Sequence, residues 1–511
     1  MNKTVKIALI AAPLALAYPA AAWVTGQQIE TAIGEHYQLL AENPSAKIVN
    51  RDYQRGIFGA TETVTIELFG NFTAAMTRQQ QEVMAANPGV KLPPVKPLQI
   101  RVRSEIRHGP LPGFSKLAAA VVDSELLLDG ELQQQVAAVF GTQKPLEVHS
   151  EYRFDGGGVS RIRSPGFSTN WAANEGAGRN MLTWEGFQID VDFKKGVKSY
   201  TLQAEAPKLT IRDSKGGGLV MNGMRLEAVQ QRLFDDDPLL YVGEQKMTLA
   251  QLDIRPEKEG DAVVLKQLAY DVAMPVSGDY VDLIARLGTA SLQVGQQEFG
   301  PANYDFSLRH LHGRTLATLY RTLVKVYGDP TLAMAADANP AQLWAPIAKP
   351  ATDLLKHAPE IRLDRLSFRS PHGDATLAAR VALKDFSEAD LANPMLLLAK
   401  LDASADVAVP EALVGSMANS LPAGRNRVEE ALAETAEGVA APSAEELAAQ
   451  RGEQLRQQLA LFIEQGLVLR DGSLIKSKLA FSQGQMTING KPFNPMAMGA
   501  PNVPGAPGGP M

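Results

Sequence analysis

The residues able to do chemistry are scattered along this chain. Among seven histidines, only His310-Leu311-His312 is clustered. On a strand, positions i and i+2 share a face, so both rings could reach one metal ion, but no third ligand stands near them. Asp235-Asp236-Asp237-Pro238 lacks the alternating ligands and glycine of a calcium loop and reads as a solvated acidic turn. The nearest approach to a phosphate loop, Gly484 to Gly490-Lys491, has one intervening residue too many and is followed by Pro492. Neither Gly-x-Ser-x-Gly nor His-Glu-x-x-His occurs. Cysteine is absent, which removes thiolate catalysis, cysteine-ligated metals and disulfides. We therefore assign no catalytic residue, no metal ligand and no cofactor.

One charged pattern remains. Arg101, Arg103 and Arg107 form a one-sided cationic stripe with Glu105 among them. Such a stripe suits anionic lipid headgroups or an acidic partner strand. It also suits a wet strand face with cross-strand pairs. The net charge of −6 gives no basic footprint, so nucleic acid is excluded as a partner.

The elements that position these residues begin with an unusual N-terminus. Lys3 and Lys6 precede an uncharged run from Ile7 to Val24. Charge is costly in hydrocarbon, so the run reads as a membrane anchor or an export signal, with the chain after Val24 carried across the inner membrane into the periplasm. Trp23, placed like an interfacial aromatic, favours an uncleaved transmembrane helix, whereas Ala20-Ala21-Ala22 offers a signal cleavage site. Gln28–Glu42 reads as a continuing helix with Ile29, Ile33, Tyr37 and Leu40 on one face.

Beyond residue 45 the apolar period is two. Val64, Ile66 and Leu68 alternate with polar residues, as do Ile100, Val102 and Ile106, then Val148, Tyr152 and Phe154, then Ile189, Val191 and Phe193. Asp155-Gly156-Gly157-Gly158 and Lys215-Gly216-Gly217-Gly218 are turn sequences, and Ser482–Gln485 turns a last hairpin. Helical patterns cover Asn71–Ala86, two short pieces within Ser115–Phe140, Leu316–Tyr327, Ala341–His357 and a helix begun by a capping box at Ser443 and Glu446. The expected fold is thus α+β and β-rich: extended antiparallel sheets of consecutive hairpins with inserted helical segments and an N-terminal transmembrane helix. The expected divisions are an anchor or uncleaved signal at 1–24, a β-rich region with a helical insertion at 25–330, an α+β region ending in a hairpin at 331–494, and a disordered tail at 495–511.

Four phrases occur in a recognisable order: Tyr53-Gln54-Arg55-Gly56-Ile57-Phe58, His108-Gly109-Pro110-Leu111-Pro112, Gly243–Met247 and Gly484–Gly490. In these the chain resembles the YdgA family of proteobacterial proteins. The resemblance implies an inner-membrane protein with a periplasmic body, a dimer, and no settled activity or catalytic residue to carry over. Arg55, Gly56, His108, Gly109 and Pro110 read as structural corners or, less simply, a ligand site. The expected function is a non-enzymatic, membrane-anchored envelope protein that contacts phospholipid or other envelope proteins, with a homodimer formed through the helical block from Glu411 to Gly466. A periplasmic enzyme, such as a hydrolase of envelope polymers, is the alternative.

Overall fold

The computed structural model describes residues 3–87, 89–128, 130–172, 178–256, 260–328, 340–414 and 444–494. The capping box at Ser443 and the tail at 495–511 lie outside them. The chain divides into two compact units. Unit 1 comprises 1–287, 293–296 and 311–354; unit 2 comprises 288–292, 297–310 and 355–511.

Unit 1 opens with α1 (Lys3–Ala41) and continues through β1 (Ala46–Arg55), β2 (Gly59–Leu68), α2 (Gly70–Ala86), β3 (Leu98–His108), β4 (Ala120–Leu127) and α3 (Gly130–Phe140). Then come β5 (Glu147–Tyr152), β6 (Gly158–Ser164), β7 (Phe167–Ala172), β8 (Arg179–Trp184), β9 (Phe187–Phe193), β10 (Ser199–Arg212), β11 (Gly218–Phe234), β12 (Asp237–Arg255) and β13 (Val263–Ala273). Each strand from β1 to β6 pairs antiparallel with the next, β6 pairs β9, and β9 to β13 again pair in sequence. The β7–β8 hairpin is inserted between β6 and β9, and β8 pairs the far end of β10. Period-two alternation favours this arrangement, because neighbouring strands such as β6, β9 and β10 present their apolar faces on the same side of the sheet.

Short strands β14 (Val276–Ser277), β15 (Tyr280–Thr289), β16 (Ser291–Val294) and β17 (Gln297–Phe299) lead to β18 (Ala302–His312), α4 (Gly313–Tyr327) and α5 (Pro340–Leu355). In unit 2, β18 pairs β19 (Glu360–Ser370), which pairs β20 (Gly373–Leu383). After α6 (Pro394–Lys400), β20 pairs β21 (Leu401–Pro410). Then follow α7 (Ala444–Glu464), β22 (Leu469–Asp471), β23 (Leu474–Ser482), β24 (Gln485–Ile488) and β25 (Lys491–Phe493), with β21 and β22 both on β23 and β24 between β23 and β25. The β23–β24 turn has Gln483 and Gly484 both at positive φ, the two-residue geometry that suits the twist of a hairpin.

Three expectations are corrected. First, among the described residues no helix is long and apolar enough to cross a membrane. The N-terminal segment does not separate from the body at Val24. It is one helix through Ala41, polar at Gln27, Gln28, Glu30 and Glu35, and packed on the sheet from Tyr18 onward. Second, Ser115–Phe140 is not a helix pair. Residues 120–127 are β4, because Val122, Ser124 and Leu126 align with Ile106, Ser104 and Val102 of β3. Third, the aspartate run is solvated only in part: Asp235 and Asp236 form an exposed turn, but Asp237 begins β12 and is buried. Asp237 is 1% exposed and receives a hydrogen bond of 2.6 Å from Arg321 of α4, while Arg314 binds Asp236 through both oxygens at 2.8 and 2.9 Å.

Candidate functional site

The largest feature of unit 1 is the difference between its two sheet faces. On one face, cross-strand neighbours run Glu105, Asp123, His149, Arg161, Asp190, Gln203, Glu227, Lys246 and Asp271. A parallel row runs Arg103, Glu125, Glu147, Arg163, Gln188, Glu205, Arg225 and Thr248. Charges of opposite sign meet on and beside these rows: Arg161 with Asp190 at 2.9 Å, Lys144 with Glu125 at 2.7 Å, and Arg153 with Asp192 at 2.8 Å. The Arg153 guanidinium holds the Asp192 carboxyl below its usual range, and the hydrogen bond from Lys116 does the same for Glu151.

The sequence's cationic stripe lies on this charged face. Arg107 donates to Asp123 at 2.5 Å, Arg103 lies 3.7 Å from Glu105, and Arg101 stands opposite Thr65 and Leu127. Arg103 and Arg107 are met by carboxylates of the same sheet, the arrangement of a wet face with cross-strand pairs. A depression of 620 Å³ over the charged rows is lined by Gln203, Glu227, Lys246, Asp271 and Arg286. Lys246 separates its two carboxylates along one row, so they do not face each other as an acid–base pair would.

The opposite face is apolar. One ladder crosses seven strands through Val148, Ile162, Ile189, Ala204, Leu226, Met247 and Tyr270. Beside it run Val191, Leu202, Ala228, Gln245 and Val272. Every member of the first ladder is half-buried. Toward β1–β4 the ladders change character, with hydroxyl pairs Ser104–Ser124 and Ser150–Ser160, each at 2.8 Å. Unit 2 repeats the pattern by itself: Phe306, Leu363, Ala379, Ala405, Leu479 and Ile488 form one cross-strand row, half-buried throughout.

Helix α1 covers one margin of the apolar face in unit 1. Ile29 and Ile33 pack with Ala60, Ile106, Ala119, Ala120, Val122, Tyr152 and Phe193. Two of the four phrases singled out in the sequence, those around Arg55 and His108, meet here. Pairing of Gly59 with Arg107 sets the β1–β2 turn beside the end of β3, so Arg55-Gly56 and His108-Gly109-Pro110 both meet the helix. Arg55 binds Glu30 at 2.8 Å and stacks its guanidinium 4.3 Å from the Trp23 ring. The Gly56 amide closes the turn on the Gly59 carbonyl at 2.8 Å. His108, 1% exposed, lies 3.0 Å through Nδ1 from the Ala22 carbonyl, and burial pulls it below the ordinary imidazole value. Gly109, at φ 124°, leaves room for Ala22, and Pro110 follows as the chain leaves the strand.

Sequence reasoning missed the residues that complete this dock. A Cβ on Gly26 would stand 2.6 Å from Cε1 of His108, so only glycine lets the helix come this close. Glu62, 1% exposed, accepts from Arg51 at 2.6 Å and from the Tyr37 hydroxyl at 3.1 Å. Burial and neighbouring carboxylates push Tyr53 up to about 12 and move Tyr37 upward as well. Glycine, alanine and glutamate at these positions carry no periodic signal; only the fold brings them together.

Elsewhere the clustered histidines diverge. Nδ1 of His310 lies 2.8 Å from the His357 carbonyl, and Nδ1 of His312 lies 2.8 Å from the Thr315 hydroxyl. Among the described residues no group of three or more potential ligands could hold a metal ion.

No curated protein and no solved structure matches the chain. A family model described as "Bacterial protein of unknown function (DUF945)" matches residues 1–496. That match covers nearly all of the sequence, and the chain belongs to this bacterial family.

Proposed function

We propose that this is a non-enzymatic protein of the cell envelope that shelters acyl chains on the apolar faces of its sheets. The observation that carries the reading is the unbroken apolar ladder from Val148 to Tyr270, half-buried along its whole length with part of every residue left in contact with water. Leaving such a surface in water is costly, and contiguous apolar area of this kind marks a binding surface. Six strand spacings of about 4.8 Å make the ladder about 29 Å long. One leaflet of hydrocarbon is about 15 Å deep, so the surface can accept an extended acyl chain across its strands. The same profile in unit 2 supports the reading independently.

A position beyond the cytoplasm is part of the proposal. It is supported by Lys3 and Lys6 ahead of the uncharged run Ile7–Val24, and by the YdgA-like phrases. A reporter fused beyond residue 100 tests it: activity confined to the cytoplasm overturns this part.

The ligand is tested by lipid mass spectrometry on the purified full chain. Bound phospholipid is expected, and its loss is expected from the double substitution Ile189→Gln, Leu226→Gln, at two half-buried positions of the ladder. A wild-type protein free of lipid refutes the reading, as does a double variant that retains it.

A further inference from the structure

A cluster of aromatic and aliphatic side chains at one end of unit 1 is left unexplained by the acyl-binding face. The Tyr18 ring of α1 stacks on Phe58 at 5.8 Å and on Phe114 at 5.5 Å, and its hydroxyl donates to the Leu111 carbonyl at 2.7 Å. Phe58 belongs to the β1–β2 turn, and Phe114 to the connection between β3 and β4. Phe114 is 78% exposed and Leu117 is 77% exposed, with Ile57 and Phe58 about half so. Phe114 also holds φ at 56°, in the left-handed region that a residue with a Cβ enters at a cost. The backbone is therefore strained there, and the ring, although stacked on Tyr18, stays largely in water.

We propose that this cluster docks on a phospholipid bilayer, with Phe58, Phe114 and Leu117 entering the boundary between headgroups and acyl chains. Three observations choose this occupant. Phenylalanine and leucine at the tips, with the polar hydroxyl of Tyr18 behind them, match the composition of interfacial segments. The sequence that α1 delivers to the cluster, Ile7 to Tyr18, carries no charge. Finally, the nearby cations are already paired: Arg55 with Glu30, Arg107 with Asp123 and Lys116 with Glu151. Insertion of apolar rings, rather than attraction to anionic lipid, is then the driving term, and a zwitterionic bilayer suffices. The inference does not depend on whether the sheet faces bind acyl chains.

The absence of cysteine makes a direct test available in the full chain. Phe114→Cys, Leu117→Cys and, as control on the charged face, Arg225→Cys each take one environment-sensitive fluorophore. Phosphatidylcholine vesicles are added with and without nitroxide-bearing lipid. The expected result is a blue shift and quenching at 114 and 117, with 225 silent. The Phe58→Ser, Phe114→Ser variant is expected to bind vesicles about tenfold or more weakly, from the loss of two buried rings. If the protein sediments with vesicles while labels at 114 and 117 stay in water, the uncharged run alone tethers it and the proposal is overturned. Quenching at all three positions, which means association without orientation, overturns it equally.

Discussion

Substituting alanine for Gly26 should change sign with its background. In an ordinary helix interior, glycine to alanine stabilises by about 0.5–1 kcal/mol. Here the new Cβ would lie 2.6 Å from Cε1 and 2.9 Å from both ring nitrogens of His108. That ring is 1% exposed and its Nδ1 is 3.0 Å from the Ala22 carbonyl, so it has no free direction in which to yield. Overpacking of this kind costs about 1–3 kcal/mol, so once the helical gain is subtracted the net loss centres on about 1 kcal/mol. In a His108→Ala background the obstruction is gone and the substitution should stabilise by its ordinary helical gain. The coupling between the two sites is then about 2 kcal/mol, or roughly thirtyfold in the opening equilibrium of α1. Hydrogen exchange over residues 22–37 measures that opening in all four proteins of the cycle. Slower exchange in the Gly26→Ala single variant would refute the reasoning, since it would mean the ring is not seated against the helix. Equal shifts in both backgrounds would refute it as well.

Other outcomes follow from the same contacts. Burial depresses His108 and, with opposition from Glu35, His36 below the ordinary value of 6.5, so the fold prefers both neutral. Their contribution is complete above that value and is lost as pH falls from it toward the folded-state values; melting between pH 8 and 5 should show the decline, and His108→Ala should flatten it. Asp237→Ala strips Arg321 of its buried partner and should cost about 2–3 kcal/mol, read as faster exchange in α4 with α1 unchanged. In unit 2, Arg380 bridges Glu360 and Asp402, each at 3.0 Å, and its hydrogen bond holds Glu360 below its usual range. Arg380→Met should destabilise that unit by about 1–2 kcal/mol near neutral pH, and the difference from wild type should shrink as acid protonates the carboxylates.

Much of the sheet is legible in the sequence because burial on one face imposes alternation on the residues themselves. In β2, β3, β5 and β9 the apolar positions stand out in this way. β11 was invisible, since Gly223 at positive φ interrupts its period and Gln230, Gln231 and Arg232 dilute its far half. β4 is hidden in the sequence because Leu126 and Leu128, joined to Leu132 and Val136 of the following helix, imitate helical spacing; pairing with β3 overrides that local pattern. The aspartate run is legible only in part: Asp235 and Asp236 are the exposed turn that adjacent carboxylates imply, while burial of Asp237 depends on Arg321 arriving from a distant helix. The apolar run before Val24 signalled hydrocarbon by composition, yet Ala22 is fully buried against protein. Nor does any spacing rule join Arg55 to His108. Their proximity depends on the register between β2 and β3, which fixes Gly59 opposite Arg107.

The β7–β8 hairpin points to how such a molecule can change size. It sits between β6 and β9 without disturbing their pairing, because each strand answers only to its immediate neighbours and not to a closed centre. A lineage built this way can gain or shed hairpins one at a time, each bringing its own greasy side and its own salted side. Length then becomes a heritable quantity adjusted in increments, with the packing beneath α1 left untouched at each step.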